Sequence, residues 1–212
     1  KKIIERTVDE FLEDKTFDLI WKKTFHWITF FESLDGFIVV ADVQETDHDN
    51  ILISTSAVNG NTASVKKQPD HQGLITFSQK SNMRSAFSLV SVANVTAYIL
   101  VGDTGSNSYY GFKIVDNSLK GVSKDGTTEK TVDLMTISAA TIYNIEARYS
   151  PADKIIFLVN SVERGIINQN LPSRADVAEI LPLHFSITTN TTAAKTLQFS
   201  FWEYLQARNI LR

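Results

Sequence analysis

Residues 143–160 have the sequence YNIEARYSPADKIIFLVN, and this stretch decides the fold class. From Tyr143 to Tyr149 apolar residues alternate with polar ones, as they do in a β-strand that buries one face. Ser150–Asp153 favours a tight reversal, because Pro and Asp suit turn conformations. Lys154–Val159 is rich in β-branched and aromatic residues, which strands prefer. The stretch therefore predicts two antiparallel strands joined by a short turn.

Strand signals of the same kind recur along most of the chain. Residues 25–31 alternate as a largely buried strand does, and turn-forming pairs such as Asp116-Asn117 separate later segments. No helical segments of about 10–15 residues alternate with these strands, which favours an antiparallel sandwich or barrel over a parallel sheet. Further strands are predicted near Gly36–Val43, Leu74–Gln79, Ala86–Val92, Thr96–Val101, Ser108–Val115, Lys130–Thr136, Leu183–Thr188 and Thr196–Tyr204.

Three segments depart from this pattern. Ile4, Val8 and Phe11 have helical spacing, which predicts a short amphipathic helix within residues 1–16, followed by one β-sandwich domain over residues 17–212. Thr46–Gly73 is polar and is predicted as a long surface loop with a short strand near Ile51–Ser54. Asn168–Asp176 is predicted as a connection between strands.

Composition excludes several classes of function. The net charge is −3, with 21 basic and 24 acidic residues spread along the chain, so no basic surface for nucleic acid is expected. No window approaches the roughly 20 apolar residues of a membrane span, so no membrane insertion is expected. Cysteine is absent, which excludes disulfides but does not fix the compartment.

The second half of the chain resembles a known superfamily. The segments that carry the resemblance are Tyr110–Ile114, Leu119–Val122, Val132–Leu134, the stretch at residues 143–160 and Phe199–Tyr204. Over residues 108–204 this pattern resembles concanavalin A-like sandwiches of the laminin G-like type. The resemblance implies an all-β fold, an antiparallel two-sheet jelly-roll sandwich, here with a short N-terminal helix. One departure is that Asn160-Ser161 replaces the usual Asp-Gly turn.

Catalytic patterns are missing from the sequence. Glycoside hydrolases of this superfamily carry a Glu-x-Asp-x-(x)-Glu strand, whereas Glu146 and Glu203 each stand without a second carboxylate nearby in sequence. Glu146 and Arg148 fit an outward ion pair. There is neither a cysteine nor a Gly-x-Ser-x-Gly elbow for nucleophilic catalysis. We expect a domain that is not an enzyme and needs no cofactor.

One acidic segment is a candidate calcium site. Asp47 and Asp49 are the proposed ligands within Asp42–Asn50, a run rich in the oxygen donors that calcium prefers. The spacing is not that of an EF-hand loop, so a solvated acidic loop is the alternative. A zinc site that uses His48 and His71 would need two further ligands.

The segment at residues 102–110 is a candidate ligand-binding loop. Its proposed contacts are Asp103, Asn107, Tyr109 and Tyr110, because aromatic rings pack on the apolar face of a sugar while Asp and Asn bind its hydroxyls. The alternative is an ordinary hairpin in which Tyr110 is a core residue.

Three functional hypotheses follow from these observations. The first is a non-catalytic structural or attachment component of a virus or phage particle, at a virion or extracellular surface, with a protein partner or a homo-oligomeric assembly. The second is a free-standing carbohydrate-binding lectin or adhesion domain. The third is a glycoside hydrolase with an unrecognised site. The resemblance alone does not choose among them.

Overall fold

The structure is a computed structural model, and it describes residues 24–30, 37–40, 43–45, 50–67, 76–102, 104–105, 108–173 and 183–207. The helix predicted within residues 1–16 lies outside these ranges. Within them, every regular element is a β-strand. Among the described residues, no helix is long and apolar enough to cross a membrane.

Strands follow one another along the described chain with short connections between most of them. In chain order they are β1 (Thr24–Phe30), β2 (Phe37–Val40), β3 (Val43–Glu45), β4 (Ile51–Ser54), β5 (Thr62–Lys67), β6 (Ser81–Leu89), β7 (Val95–Val101), β8 (Ser108–Val115), β9 (Ser118–Asp125), β10 (Thr128–Thr136), β11 (Tyr143–Ser150), β12 (Lys154–Val159), β13 (Val162–Ile167), β14 (Leu183–Thr189) and β15 (Thr196–Ala207).

The strands form two antiparallel sheets. Sheet A has eight strands in the order β13-β12-β11-β6-β15-β4-β3, and β1 also pairs with β15. Sheet B has seven strands in the order β10-β9-β8-β7-β14-β5-β2. The strand pair predicted from residues 143–160 is present, since Ile145 pairs with Val159 and Ser150 with Lys154. The all-β prediction with antiparallel sheets is therefore confirmed.

Aromatic side chains from both sheets fill the core between them. Phe185 of sheet B stacks on Phe199 of sheet A with ring centroids 3.8 Å apart. Phe112 and Phe157 meet edge to face at 5.4 Å. Each such buried ring contributes about 1.5–3 kcal/mol through the apolar surface it removes from water. This packing fixes the inward face of every central strand, so that alternate residues point outward.

Several predicted elements differ from the structure. β5 lies within the stretch predicted as a loop, because Ala63 and Val65 reach the core although their neighbours are polar. β9 and β13 were likewise absent from the predicted strands. Residues 76–79, predicted as part of the strand Leu74–Gln79, form a turn before β6. Polar residues on the outward face of a strand obscure its pattern in the sequence.

Candidate functional site

Four predicted site residues cannot be placed in the fold. Asp103, Asn107, Asp47 and Asp49 lie outside the described residues. In the part of the chain that the structure describes, no group of three or more His, Cys, Asp or Glu side chains is placed to hold a metal ion.

Tyr110 lies in the core, so its place in the predicted ligand-binding loop must be corrected. Its side chain is fully buried, and its ring stacks on Tyr149 with centroids 5.1 Å apart. The Tyr110 hydroxyl is 2.8 Å from Ser81 Oγ. Burial raises the pKa of this tyrosine well above its ordinary value. A ring in this position packs between the sheets and is not accessible to a surface ligand.

Tyr109 points to the other side of sheet B, where it is also buried. It packs in a small cluster with Leu100 and Val122, and its hydroxyl donates to Glu129 Oε2 at 2.5 Å. Lys113 Nζ binds the same carboxylate at 2.6 Å. Burial, and then the hydrogen bond to Glu129, raise the pKa of Tyr109. Because the ring and the hydroxyl both have partners within the sheet, the predicted ligand contact is not supported at Tyr109.

A cleft on the outward face of sheet A is the better candidate site. It has a volume of about 250 Å³, and we term it the sheet-A cleft. Three strands and one turn contribute to it, and strand pairing within sheet A brings them together. Its lining residues are Arg84 and Ser85 from β6, Asn144, Ile145 and Glu146 from β11, Asn160 and Ser161 from the β12–β13 turn, and Phe201 from β15.

Register places three charged side chains in one row across the cleft. Arg84 on β6 lies opposite Glu146 on β11 and opposite Glu203 on β15. Arg84 Nη1 is 3.1 Å from Glu203 Oε2, and Arg84 Nε is 3.9 Å from Glu146 Oε2. The arginine therefore separates two carboxylates that would otherwise repel each other across the sheet.

Glu146 is the most strongly held group in the cleft. Its Oε1 accepts hydrogen bonds from Arg148 Nε at 2.6 Å and from Asn82 Nδ2 at 2.9 Å. The predicted outward pair of Glu146 and Arg148 is thus confirmed. Burial alone would raise the pKa of Glu146, but the hydrogen bonds from Arg148 and Asn82 and the nearby arginine charges outweigh it and lower that pKa. Glu146 is ionised at neutral pH.

The remaining lining residues supply uncharged contacts. Asn160 Oδ1 accepts a hydrogen bond from the backbone N–H of Asn144 at 3.0 Å, which connects the β12–β13 turn to β11. Asn160 and Ser161 have φ values of 51° and 65°, the positive pair found in type I′ hairpin turns. Phe201 is half-buried and lies across the cleft from them. The cleft thus combines a ring, amides, a hydroxyl and charged groups.

Sequence reasoning identified only part of this cleft. Glu146 and Arg148 are two residues apart on one strand, so their pairing is visible in the sequence. Arg84 and Phe201 come from distant strands, and no local motif links them to Glu146. The Asn160-Ser161 departure from an Asp-Gly turn was the one available signal for the turn that completes the site.

Proteins similar to this chain are found by comparing structures and not by comparing sequences. No family model matches the sequence, and no curated protein matches it. A protein of unknown function from Shewanella oneidensis MR-1 aligns with a TM-score of 0.66 at 11% identity, over 94% of this chain and 97% of that one. The fold is a β-sandwich.

Two further similar structures have described functions. Botulinum neurotoxin type C, whose cell entry is dependent upon interaction with two ganglioside molecules, aligns with a TM-score of 0.59 at 10% identity, over 92% of this chain and 50% of that one. A sialidase aligns with a TM-score of 0.58 at 12% identity, over 82% of this chain and 17% of that one. The chain spans half or less of these two proteins, and the likeness shows the fold alone.

Proposed function

We propose that this domain is a non-catalytic carbohydrate-binding module, a concanavalin A-like jelly-roll sandwich whose sugar site is the sheet-A cleft. The observation that carries the proposal is the cleft itself, in which a half-buried Phe201 ring lies across from Asn144, Asn160 and Ser161. Ligand pockets typically combine apolar area with a few placed polar groups, and this combination suits a sugar.

The chemistry of such a complex follows from the side chains present. The apolar face of a sugar ring packs on Phe201, while the amides and the Ser161 hydroxyl exchange hydrogen bonds with sugar hydroxyls. Because Asn160 Oδ1 accepts from the backbone N–H of Asn144, the Asn160 side chain is ordered before the ligand arrives. Preorganised contacts cost less conformational entropy on binding. The cleft, at about 250 Å³, is slightly smaller than typical small-molecule pockets of about 300–1,000 Å³, so we expect it to hold a small part of a glycan.

The carboxylates support binding rather than hydrolysis. A glycosidase needs one carboxylic acid whose pKa is raised so that it can protonate the leaving oxygen. The pKa of Glu146 is lowered instead, and Glu203 is paired with Arg84. The structural likeness to a ganglioside-dependent neurotoxin and a sialidase agrees with a glycan ligand, and it fits either a lectin or an adhesion role.

Glycan-array screening followed by calorimetric titration of the best glycan tests this proposal. We expect saturable binding that Phe201→Leu weakens, since leucine keeps apolar area but removes the flat ring. Asn144→Ala should also weaken binding, whereas Asn59→Ala, at an exposed turn residue outside the cleft, should not. Absence of binding to every glycan, or equal loss in all three variants, would contradict the proposal.

A role as a structural or attachment component of a virus or phage particle is the second candidate. Its support is β13, which lies at the edge of sheet A among the described strands and exposes Val162 and Ile166 by 50% and 45%. Such an edge can pair with another chain. This role predicts stable self-association or a dedicated protein partner. A strictly monomeric domain in sedimentation velocity that binds no co-expressed particle protein would exclude it.

A further inference from the structure

We infer that the ligand of the sheet-A cleft is an acidic sugar, recognised through its carboxylate by Arg84 and Arg148. This inference rests on the proposed carbohydrate function and names the ligand class. Two observations support it. The first is the difference in burial between the carboxylates of Glu146 and Glu203 and the guanidinium groups of Arg84 and Arg148. The second is that some guanidinium nitrogens face solvent.

The charges on this face are arranged in two layers. The side chains of Glu146 and Glu203 are only 15% and 17% exposed, whereas those of Arg84 and Arg148 are 51% and 55% exposed. Although the four charges cancel in sum, an approaching ligand meets the arginines first. The carboxylates lie beneath, where they hold the guanidinium groups in place. Glu163 on β13 is also exposed and acts on Arg148 from the side away from the cleft. Among the four charged groups at the cleft, the arginines are therefore the ones that a ligand contacts first.

Glu146 lies close to the Nε atom of both arginines. Arg148 Nε is 2.6 Å from Glu146 Oε1, and Arg84 Nε is 3.9 Å from Glu146 Oε2. The terminal nitrogens of both arginines extend beyond these contacts. Among the described residues, no hydrogen bond or ion pair engages Nη1 or Nη2 of Arg148, or Nη2 of Arg84. These donors remain available to a ligand.

An arginine held in this way matches a carboxylate. The planar guanidinium donates two parallel hydrogen bonds to the two oxygens of a carboxylate, and such charge-assisted bonds are stronger than neutral ones. Arg84 lines the cleft, and Arg148 lies two residues beyond the cleft residue Glu146 on β11. Arg148 can therefore form the bidentate pair through Nη1 and Nη2, while Arg84 contributes Nη2 beside a sugar ring on Phe201.

Calorimetric titration with matched ligands tests the inference. The probes are 3′-sialyllactose and digalacturonic acid, the methyl ester of each, lactose, and 3′-sulfolactose. We expect at least one free acid to bind about tenfold more tightly than its methyl ester, because esterification removes the charge from the acceptor. The preference should decrease at high salt, since partly exposed charges are screened.

Variants assign the preference to the arginines. Arg148→Gln and Arg84→Lys should each reduce the affinity for the acid by a larger factor than the affinity for the ester, so that the acid-to-ester ratio falls toward one. Arg164→Gln removes an exposed arginine from β13 and serves as the control. An acid preference that survives both cleft variants would overturn the inference, as would equal binding of acid and ester or of carboxylated and sulfated probes. Binding of neutral glycans alone would leave the proposed function standing, whereas no binding on the array would contradict both.

Discussion

Ser161 adopts a backbone conformation that glycine would adopt at lower cost. Its φ of 65° places it in the left-handed region, where a side chain costs about 1–2 kcal/mol. Glycine there avoids this strain but has more unfolded-state entropy to lose. Ser161→Gly is therefore expected to raise the free energy of unfolding by about 0.5–1 kcal/mol, measured by urea denaturation.

Gly126 provides the matched reverse substitution. Its φ is 64°, and a Cβ added there would meet no atom within 4 Å, so an alanine would add backbone strain without a steric clash. Gly126→Ala should lower the free energy of unfolding by about 1 kcal/mol. If Ser161→Gly fails to stabilise the domain while Gly126→Ala destabilises it, the positive φ at Ser161 does not cost the domain stability.

Glu146 makes stability depend on pH in a definite direction. Its pKa is lowered from 4.5 in the folded domain, so the folded state favours the ionised form. The stabilisation is fully present above the unfolded pKa and is lost as the pH falls through the lower, folded pKa. We expect urea denaturation of the wild-type domain to show this loss at acid pH.

Glu146→Gln should remove that contribution and flatten the acid limb of the stability profile. Asp153→Asn, which changes an exposed carboxylate in the turn between β11 and β12, is the control and should leave the profile close to that of the wild type. An unchanged acid limb in Glu146→Gln would show that the hydrogen bonds from Arg148 and Asn82 do not stabilise the charged carboxylate.

At the scale of elements, one polar cluster attaches the edge strand β10 to the interior of sheet B. Glu129 on β10 accepts from Tyr109 and from Lys113, which both lie on β8, two strands away. Tyr109→Phe removes the hydroxyl, and Lys113 still pairs with the carboxylate. We expect a loss of about 1 kcal/mol in the free energy of unfolding.

Hydrogen exchange shows whether the Tyr109–Glu129 hydrogen bond stabilises β10 locally or the whole domain equally. Tyr109→Phe should accelerate amide exchange in β10 more than in β11, which lies in the other sheet. Lys120→Gln provides a comparison, because it breaks the Lys120–Asp133 pair, which joins β10 only to the adjacent β9. Equal acceleration in both sheets would contradict a local attachment of β10.

The strands differ in how clearly the sequence predicted them, and the reason is physical. β11 buries Tyr143, Ile145, Ala147 and Tyr149 and exposes or half-exposes the residues between them, so its period of two is plain. β13 is an edge strand that buries only Ile167, so it lacks that pattern. Alternation predicts strands that cover a core, whereas edge strands form through backbone pairing that leaves little trace in composition.

At the scale of the whole molecule, the candidate site depends on register. The cleft joins residues from position 84 to position 201, and only the antiparallel pairing of β6 with β11 and β15 brings them together. Composition and turn signals were enough to predict the fold class because they act locally. The site could not be predicted in the same way, since a shift of one residue in either pairing would turn its charged side chains toward the core.

The measurement that tests the central proposal most directly is an NMR titration of the isotope-labelled domain with the best glycan from the array. Binding in the sheet-A cleft predicts that the largest amide shifts occur at Asn144, Glu146, Asn160 and Ser161, and that Phe201→Leu weakens the interaction. Shifts centred on residues 102–110 or on the outward face of sheet B would contradict this assignment and place the sugar elsewhere on the domain.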